Sequence, residues 1–138
     1  MIAVIWVASI RGELRSRARV HGEMHIGRLR QEFAKIPVPL EVKPIRDAIV
    51  RAKVGSALVE ERYSGRVALD DVLDGYRRNL VKQDWRFIGQ RSNGNGFMAS
   101  FCKGEYEATL ETHAEKAYSY YDFAMAWSEI SIEECTSP

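Results

Sequence analysis

The apolar period of the chain changes at Trp85, and that change constrains the fold more than any other feature. Upstream, Leu69, Val72, Leu73, Tyr76 and Leu80 recur at intervals of three and four, which lays them in one stripe down a helix. Asp70, Asp71 and Asp74 fall early and Arg77, Arg78 and Lys82 late, the order a helix dipole favours. Downstream the period is two, the pleat of a strand. Arg86 to Arg91 reads as a strand, and Ser92 to Gly96 as its turn, because Asn and Gly tolerate positive φ. Phe97, Ala99 and Phe101 form one face of the next strand, and Lys103-Gly104 permits another tight turn. Tyr106, Ala108 and Leu110 then face one way, with Glu105, Glu107, Glu111 and His113 facing the other. In the last strand Ser119, Tyr121, Phe123, Met125 and Trp127 share a face, opposite Tyr120, Asp122, Ala124, Ala126 and Ser128.

Before the helix, Ala57, Val59 and Tyr63 alternate with Leu58, Glu60 and Arg62, a strand that ends at Ser64-Gly65. The order is therefore β-α-β-β-β-β. The expected class is α+β, with one main amphipathic helix packed on a mostly antiparallel sheet of four to five strands. The sheet's other face is then solvated, covered by an N-terminal helix, or covered by a partner. The tail from Glu133 to Pro138 is polar and expected to fray.

Residues 1–53 read as a basic N-terminal helical segment with a Pro-containing linker, and residues 54–138 as the α+β domain. Ile26, Leu29, Phe33 and Ile36 keep helical spacing, so a helix is expected over about 24–35, stopped by Pro37 and Pro39. Pro37 to Pro44 reads as extended, and Ile45 to Lys53 as either a helical turn or a strand lead-in. Met1 to Ile10 is uncharged but half the ~20 residues a spanning helix requires. It suits a buried strand, a core helix, or part of a longer membrane anchor. In the anchor case Arg11, Arg15, Arg17 and Arg19 would hold the rest of the chain on the cytoplasmic side.

The net charge of +1 conceals an asymmetry. Residues 1–53 carry +6, residues 54–103 carry +2, and residues 104–138 carry −7. A basic end attracts anionic partners or membrane, whereas the acidic end repels nucleic acid and attracts a basic protein. Two cysteines without metal-ligand spacing suit a reducing compartment, so the expected location is cytoplasmic, with an inner-membrane-associated alternative through Met1 to Arg19; a Cys102–Cys135 bridge stays open.

The residues that could carry chemistry read more simply as structure. His21 and His25 share a helical face at zinc-ligand spacing, but the Glu that the protease motif needs after the first His is Gly22. His113 has no nucleophile that sequence can place beside it. Gly94 and Gly96 lead into a strand rather than a phosphate-binding helix. The expectation is a non-enzymatic domain without cofactor or metal. Its candidate partner-binding residues are Glu105, Glu107 and Glu111 on one strand face, with Tyr118, Tyr120 and Asp122 beside them.

The run from Tyr76 to Trp85, with Tyr76, Leu80 and Trp85 at fixed intervals, resembles the "Tyr, three, Leu, three, Gly-Trp" helix end of small bacterial α+β domains. Some of these are membrane-anchored, and some are immunity proteins of contact-dependent inhibition and related toxin systems. Asp84 stands where that pattern has Gly. The resemblance implies that Tyr76 and Leu80 pack on the sheet and that Trp85 starts the next strand. It further implies a cytoplasmic immunity protein that masks the active or substrate-binding surface of a cognate toxin, for instance a basic nuclease, with no direct nucleic-acid contact. The alternative is a membrane-associated sensor or assembly subunit.

Overall fold

The structure, a computed structural model, describes residues 22–38, 42–115 and 119–137. Met1 to Arg19, His21 and Tyr118 therefore lie outside the described residues.

Residues 22–34 form α1. Two short strands follow, β1 (Lys43–Pro44) and β2 (Ile49–Lys53), and then the long β3 (Ser56–Gly65). The main helix α2 (Leu69–Lys82) leads into a meander of β4 (Arg86–Ser92), β5 (Phe97–Lys103), β6 (Tyr106–Ala114) and β7 (Ser119–Ser128), closed by α3 (Glu129–Thr136). The class is α+β. The strands run in the order β1-β3-β7-β6-β5-β4, with β2 beside β1 on the same edge of β3, and every pairing is antiparallel. The expected four to five strands become seven among the described residues, because the chain before Val54 adds two edge pieces. Ile45–Lys53 takes the strand alternative: Ile49 pairs Glu60 and Lys53 pairs Ser56.

The helix stripe does what its spacing demands. Val72, Leu73, Tyr76 and Leu80 are buried, and Tyr76 stacks on Phe123 at 4.5 Å. Asp70 and Asp71 in the first turn stand in for a side-chain cap, which Ala68 cannot supply. At the other end Trp85 N–H bonds the Leu80 carbonyl at 3.0 Å, and Asp84 adopts φ +68. That left-handed position is the one glycine ordinarily fills after a helix.

The N-terminal helix does not cover the free face of the sheet. It packs beside α2 on the same face, where Phe33 meets Phe123 at 5.3 Å and Leu29 is wholly buried. Leu29 and Ile36 thus belong to one core with Val59, Leu110, Tyr121 and Met125. Burying a Leu contributes about 1.5–3 kcal/mol, which outweighs the ~1 kcal/mol that Gly27 costs inside α1. Asn79 ties α2 to the end of this segment by donating to the Pro37 carbonyl at 3.3 Å.

Nor does the tail fray as expected. Residues 129–136 form α3, started by a capping box in which Ser128 and Ser131 exchange hydrogen bonds. Cys102 alternates with the inward Phe101, so it points outward, and it is bonded to Cys135 with Cα atoms 5.4 Å apart. The cysteine pair takes its bonded form, and the helix it holds covers one end of the outer face.

Candidate functional site

The outer face of the sheet has two halves. Toward Ser128 it lies beneath α3. Four residue pairs along β6 and β7, about 13 Å at the rise of a strand, it is open among the described helices. Register builds the open half. Arg62 on β3 sits opposite Asp122 on β7, which sits opposite Glu111 on β6, and Tyr120 sits opposite His113.

These side chains are tied to one another. Arg62 donates from Nε and Nη2 to both Asp122 oxygens, at 2.7 and 2.9 Å. The Asp122 carboxylate raises the Arg62 guanidinium above its ordinary value, so the cation is fixed. The guanidinium carbon lies 5.0 Å from the centre of the Tyr120 ring, and His113 stacks on that ring at 4.7 Å. His113 Nε2 is 3.4 Å from Glu111 Oε1. Side-chain exposure runs from 11% at Asp122 to 38% at Glu111, so the network is rooted at Asp122 and reaches solvent at Glu111 and Arg62.

Potential ligand atoms of Glu111, His113 and Asp122 lie within 4.8 Å of one another. A divalent cation fits poorly here. Both oxygens of Asp122 are already engaged by Arg62, whose fixed positive charge would repel the ion.

The six candidate partner residues therefore separate. Glu111, Tyr120 and Asp122 come together. Tyr118 lies outside the described residues. Glu107 is half-buried under α3 rather than displayed on the open face; burial, reinforced by the facing carboxyl of Glu134, pushes its pKa up to about 8. Glu105 is in the β5–β6 turn, not in the strand, because Gly104 at φ +59 reverses the chain one residue earlier. Its carboxylate accepts from the indole of Trp127 at 3.2 Å on the helix-covered side. There it borders a cleft of about 420 Å³ with His25, Arg28, Glu32, Lys103 and Tyr106. His25 stacks there on Trp127 at 3.9 Å, and its Nδ1 is 2.8 Å from the Tyr106 hydroxyl.

Sequence reasoning missed Arg62 and the joining of His113 to the site. Alternation already turned Arg62 outward; its pairing with Asp122 depends on the register between strands far apart in sequence.

No family model, curated protein or solved structure matches the chain.

Proposed function

We propose that this domain is a non-enzymatic protein-binding module that offers the open half of its outer sheet face to a partner protein. The observation behind this reading is the network of Arg62, Tyr120, Asp122, His113 and Glu111. Arg and Tyr are frequent interface anchors, and side chains already held by one another lose less freedom on binding. The −7 charge of residues 104–138 favours a partner with a basic surface and speeds its approach.

In its most specific form, which rests on the resemblance at Tyr76, Leu80 and Trp85, the partner is a cognate bacterial toxin domain whose active or substrate-binding surface the module covers. We place the encounter in an oxidising compartment rather than the cytoplasm, because a structural disulfide persists there. Co-expression with a toxin encoded beside it should protect cells and yield a purified complex. Absence of both removes the toxin reading.

The uncharged run from Met1 to Ile10 favours a second reading, a membrane-associated sensor or assembly subunit tethered through Met1 to Arg19. The arginines there draw the rest of the chain to the cytoplasmic side, whereas the disulfide asks for the other side. Recovery in the membrane fraction with the bond intact would support the tether. Recovery only in the soluble fraction would exclude it. No helix among the described residues is long and apolar enough to cross a membrane.

A further inference from the structure

The helix α3 is held to the sheet by a covalent bond rather than by an apolar stripe. It has eight residues, below the roughly 12–15 at which isolated helices become even marginally stable. Only Ser131 and Cys135 of it are buried, and Ile130 is 66% exposed. Glu133 and Glu134 crowd its C-terminal end, where the dipole disfavours acid, and no basic residue offsets them in the last turn.

The sheet surface beneath it is also unfavourable. Glu107 and Glu134 line one groove between the helix and the sheet, and burial, aided by the nearby Glu134 carboxyl, favours the protonated form of Glu107. From β4 the nearby charge is Arg91, which favours ionised Glu107; the register partners of Glu107 on β5 and β7, the disulfide-bonded Cys102 and Ala126, carry no charge. A groove of about 350 Å³ runs alongside, lined by Ile88, Arg91, Met98, Glu107, Thr109 and Glu134.

We propose that α3 is a latched cover: the Cys102–Cys135 bond holds it over a carboxyl pair that repels once both members are ionised, and reduction of that bond lets the helix leave the outer face when the pair is ionised. The step requires a dithiol reductant. It supplies two electrons and two protons, the sulfur–sulfur bond breaks, Cys102 and Cys135 become thiols, and the reductant leaves as its own disulfide. Because Glu107 holds its proton until about pH 8, the reduced helix stays docked in acid and departs as pH rises through that value. This goes beyond the partner-binding reading and holds with or without it.

The test is amide hydrogen exchange on the full chain, oxidised and reduced with dithiothreitol, at pH 6 and pH 9, expressed as protection factors. In the reduced protein at pH 9, residues 131–136 should lose at least about tenfold protection while β3, β6 and β7 keep theirs. Reduced Glu107→Gln, which cannot ionise, should keep at pH 9 the protection it has at pH 6, and Cys135→Ser without reductant should behave as the reduced protein. The proposal is overturned if α3 stays equally protected after reduction at both pH values. It is equally overturned if the strands lose protection together with α3, or if Glu107→Gln shows the same loss at pH 9.

Discussion

Asp122 takes both hydrogen bonds of the Arg62 fork while remaining mostly buried, so Arg62 cannot be removed without leaving a carboxylate short of its partner. Arg62→Ala should destabilise the domain by about 1–3 kcal/mol in urea unfolding. At Glu107 the prediction concerns pH. Its folded pKa of about 8 lies above the ordinary 4.5, so its stabilising contribution is complete below about pH 4.5 and is lost as pH rises through 8. Glu107→Gln should therefore lose less stability than the wild type between pH 5 and pH 9. Parallel urea titrations at the two values check it. At this scale alternation made much of the site legible: Glu111, Tyr120 and Asp122 face outward as their positions demand. Glu105 was misread because the turn begins at Gly104, and the partner of Arg62 was invisible because no local pattern encodes register between β3 and β7.

Elements with a complete apolar period were legible, and those without one were not. The stripe of α2 and the inward faces of β5, β6 and β7 are buried as their spacing requires. By contrast β1 and β2 are short edge pieces that bury almost nothing, so no period marks them. The helix α3 carries no stripe at all and owes its place to Cys135. Two substitutions test elements directly. Asp84→Gly relieves a left-handed residue at the end of α2, and should stabilise the domain by up to about 1 kcal/mol in thermal or urea unfolding. Leu29→Ala should destabilise by about 2–5 kcal/mol, because α1 is part of the core; a change under about 0.5 kcal/mol would mean that α1 is only an appendage.

Across the whole molecule packing joins charges from distant stretches of the chain. Glu32 of α1 meets Lys103 of β5 at 2.9 Å. Burial works to raise the Glu32 carboxyl, but Lys103 and Lys35 outweigh it and hold it below the usual carboxylate range. The result is a division of labour between two faces. Helices α1 and α2 seal the inner one, α3 closes half of the outer one, and the Arg62 to Glu111 network occupies the other half. The β-α-β-β-β-β order was readable from period alone, whereas the side on which α1 packs was not, since its apolar residues fit either face. The proposed binding of a protein at this open half is measured by titrating the proposed toxin partner against three forms of the chain. Tyr120→Ala should weaken the wild-type affinity by at least about tenfold, as loss of an interface anchor does, while Glu105→Lys, on the other side of the sheet, should stay within about twofold. Equal affinity for Tyr120→Ala and wild type, or a loss confined to Glu105→Lys, would mean that the open half is not the binding surface.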